Sequence, residues 1–399
     1  MNPHHLKRQF LRALACTLTG LTATISATFS GHALAQTEPF RVGLILPMTG
    51  PFASTGRQID AAVKLFIAQH GSTVGGRKVE VLLKDDGGVP DASKRLAQEL
   101  VVNDKVNVLA GFGLTPSALA AGPVATQSRT PAVIMAAATS SVVATSPFFV
   151  RTSYTLPQTS VTMADWAVKN KITKFVTLVS DFGPGIDAEK NFITKVNEAG
   201  GKVLAELRVP MRNPDFAPFL QKVRDVSPEA LFVFVPSGPG AALMKQFTER
   251  GLGAAGIKLI GDGGLTDDDQ LNDMGDAALG VVTAFHYSAA HDSALNRKFV
   301  AEFGAANKGM RPNFMAVGGY DGMQAIYTAL EKTKGQGQGQ ALVDAMKGLS
   351  FESPRGPITI DAQTRDIVQD VYIRKVERRD GQLYNVEIDK VKAVKDPGK

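Results

Sequence analysis

The sequence predicts an α/β protein built as two doubly wound parallel-sheet lobes joined by three crossover segments. Three observations carry this reading. From residue 40 onward, short apolar runs alternate with amphipathic stretches at the spacing of parallel βαβ units. The alternation restarts after Phe148-Phe149-Val150-Arg151, so the pattern occurs twice. The piece after Phe351 is strand-rich instead, and no period of 20–50 residues points to a solenoid.

In the first half the expected strands are 41–46, 78–84, 106–110 and 132–135. Helices at 56–69, 91–103 and 116–128 lie between them. In the second half, strands at 174–179, 203–208, 230–235 and 257–260 alternate with helices at 158–169, 186–199, 215–225 and 239–250. A strand at 280–285 follows, then helices at 293–306, 316–333 and 340–347. The low-complexity run Gly335 to Gln340 reads as a flexible surface turn between helices. Crossings are expected near 150, 286 and 352. One lobe would comprise 36–150 with 287–352, and the other 151–286 with 353–399.

Residues 1–35 read as a secretory signal. Lys7, Arg8 and Arg12 form a basic start, Ala13 to Phe29 is small and apolar, and Ala33-Leu34-Ala35 offers a cleavage site, giving a mature chain from Gln36. Cys16 is the single cysteine and lies inside this segment, where its surroundings do not fit a lipidation site. The 364 mature residues would therefore use neither disulfides nor thiol chemistry. Removing the three basic signal residues reduces the net charge from +6 to +3, with 41 basic against 38 acidic residues. The cluster Arg374, Lys375, Arg378 and Arg379 reads as a solvated strand edge rather than a nucleic-acid patch.

The most informative stretch is Phe40 to Phe66. An apolar strand (Val42 to Leu46) runs into a loop of Pro47, Thr49, Gly50, Pro51, Ser54, Thr55 and Gly56. Ile59, Ala62, Val63, Phe66 and Ile67 then mark one face of a helix. A loop beyond the carboxyl end of a parallel strand is where open α/β sheets hold ligands. It carries hydroxyls but no nucleophile–base pair. Elsewhere there is no G-x-S-x-G elbow, no P-loop and no H-E-x-x-H pair. Of the mature histidines, His70 is expected at the surface, and His286 and His291 in surface or hinge roles. Asp267-Asp268-Asp269 reads as an acidic helix start capped by Thr266, and Asp85-Asp86-Gly87-Gly88 as a turn. No metal and no cofactor is expected.

The ordered set LPMTGPFASTG, LLKDDGGVPDASK, VLAGFGLTPSALA, VIMAAATSS, VTLVSDFGPGIDA, LFVFVPSGPGAALMKQF, LIGDGGL, GGYDGMQAIYTAL and ESPRGPITID covers essentially all of 40–390. It resembles the periplasmic solute-binding proteins of branched-chain amino acid ABC importers. The resemblance implies the type I periplasmic binding fold, two lobes that close on a solute in the cleft, delivery to a membrane permease, and no catalysis. A monomer is expected, with no nucleic-acid partner.

Carried over residue by residue, the resemblance places the ligand carboxylate at Thr115. Independently, Thr115-Pro116 reads as an N-cap and first helical residue, with free N–H groups beside the hydroxyl. Ala137-Ala138-Thr139 would add backbone groups and a second hydroxyl. Thr55 stands where relatives often carry a larger side chain, and Phe182 matches a position that is commonly tyrosine. Ser237-Gly238 lies in another cleft loop, and Tyr154 offers an aromatic wall. The departure is at Gly263. Amino-acid-binding relatives place there an acid that pairs with the ligand's ammonium, whereas here the acid, Asp262, comes one position earlier. An ammonium buried without a partner costs several kcal/mol. An aromatic or other apolar carboxylate is therefore favoured slightly over a hydrophobic or branched-chain amino acid. A ligand-sensing module for a membrane receptor would look the same in sequence, and a secreted α/β enzyme is the remote alternative.

Overall fold

The computed structural model describes residues 38–398. The signal segment and Cys16 lie outside the described residues. The first sheet contains β1 (Phe40–Leu46), β2 (Thr73–Val74), β3 (Arg77–Asp85), β4 (Val108–Gly111), β5 (Ala132–Ile134) and β6 (Phe149–Arg151), in the order β2-β3-β1-β4-β5-β6. All pairings are parallel except β2 with β3. β1 is apolar on both faces and almost wholly buried, as a central parallel strand must be. The connections carry α1 (Ala53–His70), α2 (Pro90–Val102) and α3 (Thr115–Ser128).

The second sheet repeats the plan. Its parallel part holds β7 (Lys174–Ser180), β8 (Lys202–Val209), β9 (Ala230–Phe234), β10 (Lys258–Asp262) and β11 (Val282–Phe285) in the order β8-β7-β9-β10-β11. Counted along the chain, both parallel sets have the order 2-1-3-4-5. Their helices are α4 (Leu156–Lys169), α5 (Gly183–Glu198), α6 (Ala217–Val226) and α7 (Gly240–Glu249). α4 begins with a capping box between Thr155 and Gln158. Three short 3₁₀ turns, at 140–145, 263–266 and 271–278, complete the connections.

From β11 the chain returns to the first lobe for α8 (Ala294–Ala306), α9 (Phe314–Lys332) and α10 (Gly339–Met346). α9 lies along α1, where Tyr320 and Tyr327 meet Phe66 edge-on, each with ring centroids 5.0 Å away. The last segment adds β12 (Ser350–Ser353), β13 (Gly356–Ile360), β14 (Ile367–Arg379) and β15 (Gln382–Val394) to the β11 edge of the second sheet, all antiparallel. The β14–β15 hairpin closes on Asp380-Gly381, whose φ angles of 49° and 78° are those of a type I′ turn.

Two sequence expectations need correction here. Arg374 is not part of a solvated edge. It is 1 % exposed, with Nη1 donating to Tyr287 O (2.5 Å) and Nη2 to Thr283 Oγ1 (3.0 Å), and it pairs with Asp268. Lys375 and Arg379 lie on the other face of the strand, whereas Arg378, on the face of Arg374, is exposed beside the hairpin turn. Of the two roles expected for His286, surface or hinge, the surface one falls. The residue is 1 % exposed and stacks on Tyr154 at 4.6 Å, between the strands of one lobe and the helices of the other.

Candidate functional site

In a 2-1-3-4-5 sheet the chain winds in opposite directions from strands 1 and 3. A crevice therefore opens between their carboxyl ends. In the first lobe these are the ends of β1 and β4, carrying loops 47–52 and 112–114. In the second they are the ends of β7 and β9, carrying loops 181–182 and 235–239. Asp85 at the end of β3 tethers the first loop, accepting from Met48 N (2.8 Å) and Thr49 Oγ1 (2.7 Å).

The four loop ends meet around one cavity of about 60 Å³. Seven of the residues singled out from sequence line it: Thr55, Thr115, Ala137, Tyr154, Phe182, Ser237 and Asp262. Thr139 sits just behind, its Oγ1 2.9 Å from Thr115 Oγ1. Gly238 is not on the wall. Sequence reasoning missed Phe52, Phe234 and Phe314, which complete an aromatic lining with Tyr154 and Phe182. Phe314 opens α9 directly after its N-cap Asn313, so only the fold brings it here. A larger groove of about 570 Å³ lies at the amino end of β10, lined by Trp166, Phe247 and Ile257, away from both crevices.

Thr115 does not cap α3 as expected. The N-cap position is Leu114, and no side chain caps this helix. Thr115 is the first helical residue and its hydroxyl turns to Thr139, which also points its N–H there at 3.4 Å. No side chain takes up the helix's first N–H groups, and its first residue, Thr115, lines the cavity. Behind this wall Arg151 is completely buried. Its Nη1 donates to Ala137 O (2.6 Å) and Tyr154 O (3.2 Å), its Nη2 to Thr139 O (2.9 Å) and Ser140 O (3.5 Å), and its Nε to Asp366 of the second lobe (2.5 Å).

On the opposite wall Asp262 is buried and accepts from Gly264 N and Thr159 Oγ1, both at 2.9 Å. The neighbouring Gly263 has no room for a side chain. A Cβ there would overlap the Phe285 ring and come within 2.5 Å of Arg374 Nη2. The acidic triplet is also not a capped helix start. Asp267 accepts from Asn313 Nδ2 (3.0 Å) and Ser237 Oγ (2.5 Å), Asp268 faces Arg374 and Asn385, and Asp269 accepts from Ser54 Oγ (3.0 Å). Asn313 and Ser54 belong to the first lobe, so the triplet latches the two lobes. Ser54 serves the latch and not the cavity wall.

Burial pushes the carboxyls of Asp262 and Asp267 up to about 6, against the donors that hold them. Unfolded, both would titrate near 3.8. The folded chain thus retains protons that the unfolded chain has released. Their contribution is full below about pH 4 and is lost as pH rises through about 6. Burial lowers His286, which acts in the opposite sense below its ordinary value, but the raised carboxyls outnumber it, since burial also pushes Asp321 up to about 6 and raises Asp187 and Asp268. The melting temperature should therefore rise as the buffer moves from about pH 7.5 to about pH 5. Scanning calorimetry checks this, and a steady fall over that interval would refute it.

Comparison with known proteins agrees with this geometry. The periplasmic binding protein family matches residues 39–382. Leu/Ile/Val-binding protein homolog 6 of Brucella abortus is 42% identical over 386 residues, covering 95% of this chain and 98% of its own. The solute-binding protein of an ABC transporter from Rhodopseudomonas palustris BisB5, solved with 3,4-dihydroxybenzoic acid, is 60% identical. It covers 90% of this chain and 99% of its own, with a TM-score of 0.88. Another R. palustris solute-binding protein, solved with 4-hydroxybenzoate, is 38% identical, with 90% and 99% coverage and a TM-score of 0.87. With the family matched over 39–382 and the overall fold shared with solved solute-binding proteins of ABC transporters, the chain belongs to the periplasmic binding protein family, the solute-binding components of ABC transporters.

Proposed function

We propose that this chain captures an aromatic monocarboxylate in the periplasm and delivers it to the permease of an ABC importer. The observation that carries the ligand class is steric. Gly263, where amino-acid-binding relatives would place an acid for the ammonium, is filled by Phe285 and backed by the buried Arg374 cation. The other acid, Asp262, lies one position earlier, where the neighbouring Arg374 cation offsets its pull on an ammonium. A ligand without an amine suits this wall, and five aromatic side chains suit a ring.

The carboxylate would lie on the first lobe, against Thr115, Thr139 and the open end of α3, near the backbone of Ala137 and the Thr55 loop. The ring would lie between Tyr154 and Phe182, with the Ser237-Gly238 loop closing over it. Contacts from the second lobe would then favour the closed form by differential affinity. The lobes are taken as 36–150 with 287–352 and 151–286 with 353–399. The protein would act as a monomer after removal of residues 1–35, holding its solute without converting it. The two solved relatives above, with hydroxylated benzoic acids bound, support the same ligand class.

A thermal-shift screen tests this directly. Benzoate-type acids should raise the melting temperature, while leucine, isoleucine and valine should not. Thr115→Val should then weaken the best acid about tenfold or more, by removing one charge-assisted hydrogen bond, and leave the fold intact. A shift with branched-chain amino acids alone would overturn the aromatic assignment. Unchanged affinity of Thr115→Val by calorimetry would overturn the carboxylate site.

A further inference from the structure

We propose that Asp262, seconded by Ser237, makes the site selective for ring-hydroxylated benzoic acids over unhydroxylated ones. This rests on the aromatic-carboxylate reading above and adds to it which end of the ligand is read, and by what.

The two walls of the cavity differ in hydrogen-bonding character. The first-lobe wall is rich in donors, with the open N–H groups of α3 and the paired hydroxyls of Thr115 and Thr139. The second-lobe wall is rich in acceptors. A carboxylate has about four lone-pair positions. Asp262 uses positions on Gly264 N and Thr159 Oγ1, with Gly263 N turned toward it as well, so acceptor capacity still remains on a side chain that lines the cavity. Ser237 Oγ gives its only hydrogen to Asp267, so toward a ligand it can only accept. Tyr154 lines the same cavity, and its hydroxyl can donate or accept.

A ligand carboxylate turned toward Asp262 would meet like charge, which fixes the orientation with the carboxylate on the first lobe. The far edge of the ring then faces a buried carboxylate. A C–H there leaves Asp262 desolvated and unpaired on that side, which is costly. A phenolic O–H donates to Asp262 and can accept from Tyr154. Sites built to bond a substrate hydroxyl reject the analogue lacking it more strongly than apolar pockets reject an extra group. A second, adjacent hydroxyl has Ser237 as its acceptor.

Calorimetry with benzoate, 4-fluorobenzoate, 4-hydroxybenzoate and 3,4-dihydroxybenzoate tests this. The fluoro compound has nearly the size of the hydroxy compound but no proton to give. The wild-type chain should bind both hydroxylated acids about tenfold to a hundredfold more tightly than the other two. Asp262→Asn keeps an acceptor for Gly264 N, and should compress that ratio severalfold. Ser237→Ala should reduce only the advantage of the dihydroxy over the monohydroxy acid. Equal affinity of the wild-type chain for all four acids would overturn the proposal and leave the aromatic reading standing, even if Asp262→Asn fails to fold. A folded Asp262→Asn variant with an unchanged ratio would overturn it too. Binding of none of the four acids would overturn the aromatic reading itself.

Discussion

Replacing Arg151 by leucine is expected to cost about 3–5 kcal/mol, and so to lower the melting temperature by about 10 °C. The guanidinium is completely buried, and its five N–H groups meet five acceptors: four backbone carbonyls and Asp366. Leucine would leave a carboxylate and the carbonyls of Ala137 and Thr139 with fewer partners in a dry interior. Breaking one side of a buried ion pair is far more damaging than replacing both. Lysine should not rescue the loss, because it lacks the planar fork. Ligand affinity should fall as well, since the same carbonyls hold the 137–139 loop in place. A leucine variant melting within about 2 °C of wild type would show that the network carries little weight.

Gly263→Asp is expected to fail as a conversion to amino-acid binding. On paper it restores the acid that amino-acid-binding relatives are expected to carry. In this chain the new Cβ would overlap Phe285, whose ring packs against Tyr154 (5.0 Å), Phe314 (4.7 Å) and the Arg374 guanidinium (4.9 Å). Overpacking of this kind costs about 1–3 kcal/mol or more, and it displaces a ring directly behind the cavity wall. The variant should melt lower than wild type and lose aromatic-acid binding without gaining leucine or valine. Thermal shift with both ligand classes decides the matter. A stable variant that binds leucine would show that one residue alone sets the ligand class.

The parallel strands and their helices were legible because each buried strand is a continuous apolar run and each helix has an apolar face. The misread positions share a different cause. Thr115-Pro116 satisfied a local capping pattern, but its hydroxyl found a better partner in Thr139, 24 residues away. Arg374 stood in a basic cluster whose other members are exposed, and only the pleat of β14 turns it inward. Asp267 to Asp269 looked like one acidic surface feature, yet each side chain faces a different element. Arg151, Phe314 and Asn313 gave no local signal, because their partners lie on the other lobe or in a distant loop. Of the site, sequence reasoning reached part of the loops that wind directly off a strand, missed Phe52 and Phe234 there, and missed Phe314, which a returning helix delivers.

The latch between the lobes has a consequence for the surroundings in which the protein works. Across the cleft, Asp267 and Asp269 are held by an amide and a hydroxyl, not by cations. Attraction between opposite charges weakens as dissolved salt accumulates, whereas short contacts between a carboxylate and a neutral donor barely respond. The Asp267 and Asp269 contacts should therefore hold almost unchanged as external salt rises, and the ion pair that joins the lobes, Arg151 with Asp366, is buried away from it.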